Sequence, residues 1–368
     1  MVDLEALTES FQKLHHQTPR LFSAPGRVNL IGEHTDYNEG FVLPMAVNRR
    51  TVVAAARNQT ERIRVLSLDL DETGEFDLNA ERSTGAPHWM NYVEGVARVL
   101  KDQGVSVSGA NLAITSDVPR GSGLSSSAAL EMSVGWALVS LAGVELDLIQ
   151  LALAAQQAEH VYAGTKSGLM DQLASAFGRK DHALLIDCRS LERTLIELNL
   201  PGTAIVVCDT NVRHKLAASA YNERRAECER GIEILRQRLP GIRSLRDVSV
   251  EDLEKYQSLL PEQVASRCRH VITENERTLK AAEALRKSDI AQFGRLMTFS
   301  HQSLRDDYEV SCRELDIMVE HAMQHEGVAG ARMTGGGFGG CTVNLVQRNL
   351  LESFCDFVAR GYEERTGT

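Results

Sequence analysis

Five of the six residues from Gly335 to Gly340 are glycine, and the run lies between two segments with the composition of β-strands. Glycine loses more conformational freedom on folding than any other residue. A cluster of this density is therefore costly unless the backbone must turn sharply or approach another group closely. The run predicts a tight turn at which the backbone meets a ligand, and we favour this interpretation over a turn with a purely structural purpose.

A second glycine-rich segment follows a short predicted strand, Asn111–Thr115, and opens a helix. Glycines let backbone N–H groups approach an anion closely, and the positive end of a helix favours phosphate. A serine hydroxyl can also complete a Mg²⁺ shell. An ordinary serine-capped helix is the alternative. The candidate phosphate-binding residues are Gly121, Ser122, Gly123, Leu124, Ser125, Ser126 and Ser127.

Familiar nucleotide-binding motifs do not account for this segment. No lysine follows the glycines, which argues against a P-loop ATPase. As a dinucleotide fingerprint its third small residue would be Ser126, and the preceding strand lies far from the amino terminus, so a Rossmann unit is disfavoured. The H-R-D and D-F-G signatures of protein kinases are missing from the sequence.

The stretch from Gly26 to Asn38 concentrates charged and polar residues near the amino terminus. Arg27 offers a fixed fork of N–H donors that suits phosphate oxygens. Glu33, His34 and Asp36 supply the acceptors and the donor that bind sugar hydroxyls. The stretch indicates a polyhydroxylated ligand beside a phosphate, and a turn whose polar residues cap neighbouring backbone is the alternative.

Two further carboxylates stand in apolar surroundings. Glu159 follows the apolar segment Leu151–Ala155 and needs a partner, which a metal ion or an ion pair would supply; a solvated helix face is a further alternative. Asp171 is flanked by apolar residues and could accept a proton from a substrate hydroxyl. Helix capping is the alternative for Asp171.

Length and charge restrict the class of protein. A chain of 368 residues exceeds the usual size of one hydrophobic core, and we place a domain boundary near residue 205, giving domains 1–205 and 206–368. A formal charge of −10 argues against binding nucleic acid or an anionic membrane. The seven scattered cysteines, without a C-x-x-C pair, favour a reducing, cytoplasmic setting. We expect a monomer without a membrane span.

The hydrophobic pattern mixes strands with helices. Short apolar runs predict strands between residues 41 and 70, and again at Ala183–Ile186, Thr194–Leu198, Ala204–Cys208 and Cys341–Val346. Helical spacing predicts helices at Trp89–Lys101, after Ser125, from the cap Asp147 to Tyr162, at Gly168–Phe177, at Lys215–Leu239, over most of 261–326 and at Leu350–Tyr362. The pattern predicts an α/β or α+β fold with mixed sheets.

Three segments, in this order and spacing, resemble known proteins. They are GRVNLIGEHTDYNEGFVLP from Gly26, GSGLSSSAAL over Gly121–Leu130, and MTGGGFGG over Met333–Gly340. Together they resemble the GHMP small-molecule kinases and, within them, the galactokinase family. The resemblance covers nearly the whole chain. It implies a two-domain fold with the active site and nucleotide in the cleft between the domains.

The resemblance also implies roles for individual residues. Asp171 would deprotonate the anomeric hydroxyl of a sugar, and Arg27 would neutralise charge on the transferring phosphoryl group. Ser127 and Glu159 would be the Mg²⁺-associated positions. Trp89 and Tyr92 would lie near the adenine. The implied sugar-contacting residues are Glu33, His34, Thr35, Asp36, Gly168 and Tyr221.

The implied activity is Mg²⁺-dependent transfer of phosphate from ATP to D-galactose, giving α-D-galactose 1-phosphate and ADP at the start of galactose catabolism. Two alternatives stay open: a kinase for N-acetylgalactosamine, arabinose or galacturonate, and a galactose- and ATP-binding sensor without catalysis. The chain departs from the family by stopping at Thr368, where a further strand with a Lys-Pro tail is usual. We therefore expect an unpaired sheet edge in the second domain, and a chain that is truncated relative to the natural protein.

Overall fold

The computed structural model describes residues 2–82, 87–213 and 217–368. Its α-helices are α1 (Leu4–His15), α2 (Met90–Asp102), α3 (Ser126–Ala142), α4 (Leu148–Ala158), α5 (Met170–Phe177), α6 (Ala217–Leu235), α7 (Val250–Tyr256), α8 (Glu262–Arg286), α9 (Ile290–Asp306), α10 (Arg313–Ala322) and α11 (Leu351–Thr366). Its strands are β1 (Arg20–Asn29), β2 (Phe41–Val42), β3 (Pro44–Arg57), β4 (Arg62–Ser67), β5 (Glu72–Asp77), β6 (Ala110–Ser116), β7 (His182–Asp187), β8 (Arg193–Glu197), β9 (Thr203–Arg213), β10 (Val328–Met333) and β11 (Gly339–Gln347).

The chain divides into two compact units. Unit one contains residues 1–27, 46–120 and 125–177, and unit two contains residues 28–45, 121–124 and 178–368. This division differs from the predicted single boundary near residue 205, because unit one ends at residue 177 and two short segments of the amino-terminal half belong to unit two. Both segments carry residues that the sequence marks as candidate ligand contacts.

Unit one is organised around a sheet in which the strands follow the order β1-β3-β6-β4-β5. Strand β6 is antiparallel to β3 and parallel to β4. Helix α1 covers one part of this sheet because its apolar residues Leu7 and Phe11 pack against Val52, Ala54 and Ala113. Each fully buried side chain of the size of leucine or phenylalanine contributes about 1.5–3 kcal/mol.

Helices α2 to α5 form the remainder of unit one. Asp147 accepts a hydrogen bond from the backbone of Ile149 and begins α4, as predicted. A π-helical turn, Glu159–Ala163, then continues the chain directly from α4. Such turns occur often at functional sites, and this one begins at the candidate residue Glu159.

Unit two contains two antiparallel sheets, with strand orders β10-β11-β9 and β2-β7-β8. Val346 and Ala331 of the first sheet pack against Phe354 and Val358 of α11. A second cluster joins α8 to the region after α9 through Val271, Leu304 and Tyr308. Across residues 2–82, 87–213 and 217–368, no helix is both long and apolar enough to span a membrane.

Most predicted elements are confirmed, and the mixed fold class is correct. The principal differences are at element ends: β9 continues to Arg213, and α6 ends at Leu235 rather than Leu239. The predicted start of that helix at Lys215 lies outside the described residues. The sequence analysis did not identify α1, β1, β5 or α7, although Leu4, Leu7, Phe11 and Leu14 of α1 follow helical spacing.

Candidate active site

Arg27 and Asp171 form an ion pair in unit one. Arg27 lies near the end of β1, and Asp171 is in the first turn of α5. The arginine Nε and Nη2 lie 2.7 and 2.5 Å from the same aspartate oxygen, Oδ1. The other oxygen, Oδ2, accepts a hydrogen bond from the hydroxyl of Ser125. The fold therefore brings together two predicted catalytic residues and one residue of the predicted phosphate loop.

Ser125 does not cap α3. Its backbone has a φ of 57°, and its side chain makes no capping hydrogen bond, because the hydroxyl points to Asp171. A left-handed conformation is unfavourable for a serine, and strained residues of this kind cluster at functional sites. The alternative of an ordinary serine-capped helix is thus wrong for this residue.

Glu159 lies in a cluster of hydrogen-bond donors within unit one. Its carboxylate accepts hydrogen bonds from Ser167 and Gln172, and the nearby Ser127 hydroxyl also lowers the pKa of this carboxyl. Burial, opposed by these donors and reinforced by the negative charge of Asp171, raises the pKa of Glu159 to about 7. A nearby cation would favour the ionised form of such a carboxylate.

Glu131 and Gln172 belong to the same cluster and were missed by the sequence analysis. Gln172 donates from Nε2 to Glu131 at 3.1 Å and to Glu159 at 3.3 Å. Burial and the neighbouring Glu159 hold the pKa of Glu131 well above its usual range. Its position in the apolar helix α3 could have identified it, since an acid among apolar residues requires a partner.

The two predicted adenine contacts have different surroundings. Trp89 donates from its indole nitrogen to Glu72 at 2.6 Å. Burial, with the charges of Glu159 and Glu131, raises the pKa of Tyr92. Tyr92 is therefore close to the acidic cluster, and a contact with adenine stays a prediction. Gly168, a predicted sugar contact, is buried just before α5.

In unit two, the loop 121–124 meets the glycine-rich run of residues 335–340. A Cβ atom on Gly335 would lie 3.0 Å from the carbonyl oxygen of Gly123, and one on Gly340 would lie 2.8 Å from the carbonyl oxygen of Ser122. Gly335 and Gly123 both have a φ of 80°. This close approach joins the backbones of the two glycine-rich segments to each other. Contact with a ligand stays a prediction.

Glu33 is buried in unit two, with 1% of its surface exposed. One carboxylate oxygen pairs with Arg332, and the other accepts from the backbone N–H of Gly335 at 3.0 Å. Burial raises the pKa of Glu33, and the Arg332 guanidinium counteracts the rise. Arg332 was missed, although a charged residue inside a predicted strand next to the glycine-rich run was a usable signal.

Thr35 and Asp36 shape the turn after Glu33 and His34. The Thr35 hydroxyl is buried and lies 2.8 and 2.7 Å from the carbonyl oxygens of Gly32 and Phe41. The Asp36 carboxylate accepts from the backbone N–H of Tyr37 at 3.0 Å. The Thr35 contacts are those of the capped turn considered above. Whether these two side chains also contact a sugar stays a prediction.

Helix α8 supports this turn through buried polar side chains. Glu274 accepts from the backbone N–H of Gly32 at 2.9 Å, and Asn275 accepts from that of Phe41 at 2.9 Å. His270 lies with Nε2 3.1 Å from the carbonyl oxygen of Glu33. The sequence analysis recognised a helix here but assigned it no function. Polar residues at i and i+4 on a helix share one face, which was the available signal.

Tyr221, another predicted sugar contact, lies in α6 beside His34. The centres of the two rings are 5.2 Å apart, and the Tyr221 ring also faces Gly336. The fold thus brings Tyr221 to the predicted sugar-contacting segment within unit two. A helix, a turn and a glycine-rich run, distant in sequence, meet at this point.

Comparisons with known proteins identify the family of this chain. Residues 9–57 match the galactokinase galactose-binding signature, residues 91–179 the GHMP kinase N-terminal domain, and residues 281–364 the GHMP kinase C-terminal domain. A galactokinase of Roseiflexus sp. is 50% identical over 370 residues, covering 100% of this chain and 94% of the relative. A galactokinase of Chloroflexus aurantiacus is 49% identical, with the same coverage.

A solved structure of Lactococcus lactis galactokinase complexed with galactose superposes with a TM-score of 0.94 at 38% identity, covering 99% of this chain and 95% of that chain. Methanococcus jannaschii mevalonate kinase, at 19% identity and a TM-score of 0.65, shares the fold. The fold and these segments define a GHMP kinase, and the chain belongs to the galactokinase family. The family uses ATP as the phosphoryl donor.

Proposed function

We propose that this chain transfers the γ-phosphoryl group of ATP to the anomeric hydroxyl of D-galactose, giving α-D-galactose 1-phosphate and ADP. The contact of Asp171 with Arg27, which lies inside the galactokinase galactose-binding signature, is the observation that carries the proposal. Phosphoryl transfer requires positioning and charge stabilisation more than covalent chemistry by the protein. Arginine beside an acceptor carboxylate supplies both.

Asp171 accepts the proton of the anomeric hydroxyl as that oxygen bonds to the γ-phosphorus and the bond from phosphorus to the leaving ADP oxygen breaks. Arg27 and Ser125 hold its carboxylate in one orientation before the sugar binds. The guanidinium of Arg27 also stabilises negative charge on the phosphoryl oxygens. Asp36, Glu33, Gly168 and Tyr221 complete the sugar contacts in this proposal, with Trp89 and Tyr92 at the adenine.

The residues around Glu159 fit Mg²⁺. This ion prefers oxygen donors, binds through one or two protein ligands and keeps waters and phosphates in its remaining positions. The Glu159 carboxylate and the Ser127 hydroxyl are adjacent oxygen donors of that kind. In residues 2–82, 87–213 and 217–368 no cluster of three or more acidic, histidine or cysteine side chains offers a complete protein cage. Bound Mg²⁺ would neutralise phosphate charge, and Gly121 to Ser127 would hold the phosphates.

The unpaired cysteines and the net charge of −10 support a cytoplasmic protein that does not bind nucleic acid. We propose that it acts as a monomer. Size-exclusion chromatography with light scattering tests this directly, because a dimer would double the measured mass.

The substrate is tested by measuring ADP release with ATP and Mg²⁺ in the presence of galactose, glucose, N-acetylgalactosamine, arabinose, galacturonate or no sugar. We expect release with galactose and background release without sugar. A stronger response to another sugar would identify a kinase for that sugar. Binding of galactose and ATP without ADP release would identify the non-catalytic sensor.

A further inference from the structure

Four side chains of unit two form a continuous series of hydrogen bonds that starts at the glycine-rich run. His34 Nε2 lies 3.2 Å from the carbonyl oxygen of Gly336, and His34 Nδ1 lies 2.8 Å from the hydroxyl of Tyr37. The Tyr37 and Tyr308 hydroxyls are 2.7 Å apart. The Tyr308 hydroxyl is 3.2 Å from Sγ of Cys228. We call this series the His34 chain.

The carbonyl at one end fixes the direction of every bond in the His34 chain. A carbonyl oxygen can only accept, so the proton of His34 is on Nε2. Burial lowers the pKa of His34 to about 3, so the ring is neutral and Nδ1 must accept. Tyr37 then donates to His34, and its oxygen accepts from Tyr308.

The same reasoning applies to the last bond. Because the single hydroxyl proton of Tyr308 is donated to Tyr37, its oxygen accepts from the thiol of Cys228. Buried polar groups that lack a partner are costly, whereas here each donor of the series has an acceptor. The rings also pack against one another: the centre of the His34 ring lies 4.7 Å from that of Tyr308.

Both nitrogens of His34 are therefore occupied by protein partners. Nε2 donates to the glycine-rich run, and Nδ1 accepts from the residue three positions later in the galactokinase signature. The ring has 4% of its surface exposed and no further hydrogen-bonding atom to offer a sugar. This arrangement differs from the sugar contact that the family resemblance implies for the side chain.

We propose that Tyr37 and Tyr308 are positioning residues that hold His34 as the Nε2–H tautomer, so that His34 fastens the signature turn to Gly336. The expected effect on galactose binding rests on the proposed function, because the turn of residues 33–38 also carries the predicted sugar contacts Glu33 and Asp36. In this proposal the His34 side chain holds the turn against the glycine-rich run. Tyr308, which lies outside all recognised motifs, helps to position His34 through Tyr37.

The tautomer is measured by ¹⁵N NMR of the full-length, ligand-free protein labelled at histidine, with the His34 signals assigned by comparison with His34→Gln. We expect a protonated Nε2 and a hydrogen-bonded, unprotonated Nδ1. Tyr37→Phe should remove the hydrogen bond to Nδ1, and its signal should move toward that of a free imine nitrogen. A protonated Nδ1 or a charged ring in the wild-type protein would overturn the proposal.

The positioning role is measured by kinetics. We expect Tyr37→Phe and Tyr308→Phe each to raise the KM for galactose by about tenfold, the factor expected for one hydrogen bond, with a smaller change in kcat. Tyr362→Phe is the matched control. Tyr362 is another buried tyrosine of unit two, it donates to the carbonyl oxygen of Thr210 at 2.8 Å, and it does not belong to the His34 chain. Unchanged galactose KM in both variants, with circular dichroism confirming folding, would contradict the role.

The two measurements separate this inference from the proposed function. If the wild-type protein released no ADP with galactose, the function would fail, while the NMR result would still decide the direction of the His34 chain. If galactose is phosphorylated and the tautomer is the other one, only the inference fails.

Discussion

Arg27 directs two nitrogens, Nε and Nη2, at a single oxygen of Asp171, and the second oxygen of Asp171 is left to the hydroxyl of Ser125. A bidentate arginine would instead place one nitrogen on each oxygen. The observed arrangement gives each carboxylate oxygen its own partner on a different structural element. The carboxylate is thereby held in one plane, which is what a group that accepts a proton from a bound hydroxyl requires.

Replacing Asp171 by asparagine should abolish the acceptor while leaving the size of the side chain unchanged. We expect kcat to fall by about a thousandfold, within the range for loss of a general base. Calorimetry should still detect binding of galactose and of ATP. Turnover near the wild-type value would remove Asp171 from the catalytic role.

Ser125→Ala tests the second partner of Asp171. Loss of a hydrogen bond to a charged group should lower kcat by about tenfold. Ser140→Ala is the control, because Ser140 lies in α3, the helix that follows Ser125, and its hydroxyl binds Arg20 on the surface. Steady-state kinetics measure kcat for both variants. A wild-type kcat in Ser125→Ala as well as in Ser140→Ala would contradict the role of Ser125 in orienting Asp171.

Glu159→Gln tests the proposed metal site. The neutral amide is a weaker ligand for a hard cation, and we expect the Mg²⁺ concentration for half-maximal activity to rise by about tenfold or more. Binding of Mn²⁺ in the presence of ATP, followed by electron paramagnetic resonance, should weaken in parallel. The exposed Glu145→Gln variant serves as the control, and equal Mn²⁺ affinity in both variants would argue against a ligand role for Glu159.

Gly335→Ala tests the contact between the two glycine-rich segments. The added Cβ would meet the backbone of Gly123 at 3.0 Å in a left-handed conformation, and we expect a loss of about 1–3 kcal/mol in stability with a raised KM for ATP. Gly143→Ala separates the two causes, because Gly143 has a φ of 73° but nothing within 4 Å of its added Cβ. Urea unfolding should show a larger decrease in the free energy of unfolding for Gly335→Ala than for Gly143→Ala. Equal decreases would mean that the contact with Gly123 does not contribute to stability.

Glu274→Gln should remove a pH-dependent contribution of the Glu274 carboxylate to the stability of the fold. Although burial opposes ionisation, Arg277 and the neighbouring positive groups lower the pKa of Glu274 from 4.5 to about 2. A carboxyl whose pKa is lowered on folding stabilises the folded state above its unfolded pKa, and this contribution disappears as the pH falls through the folded pKa. We expect the variant to lose about 3 kcal/mol at neutral pH, and the difference from the wild type to shrink below about pH 4.5.

Urea unfolding at neutral pH and at about pH 3 measures this difference. Glu276→Gln is the control, because Glu276 lies on the same helix in an exposed pair with Lys280. A difference between wild type and Glu274→Gln that stays constant over this range would show that the ionised carboxylate does not stabilise the fold.

The sequence by itself determined the local features of this protein. Asp147 predicted the start of α4 because a short acidic side chain caps backbone N–H groups within its own turn. The helices and strands followed from hydrophobic spacing, which is a property of neighbouring residues. The two glycine-rich segments predicted close backbone approach because glycine has few other reasons to cluster. Family resemblance then connected these features to a chemistry.

Only the tertiary structure decided which groups are partners. A serine at the start of a helix, such as Ser125, is typical of a helix cap. Its hydroxyl instead binds Asp171, which lies 46 residues later. The Glu33 carboxylate pairs with Arg332 and with the backbone N–H of Gly335, which lies 302 residues later, and no local pattern indicated these partners. Tyr308 carried no local signal for its hydrogen bond to Tyr37, which lies 271 residues earlier. The physical reason is that burial and pairing depend on contacts between residues distant in sequence, and local propensity contains no information on which of them will meet.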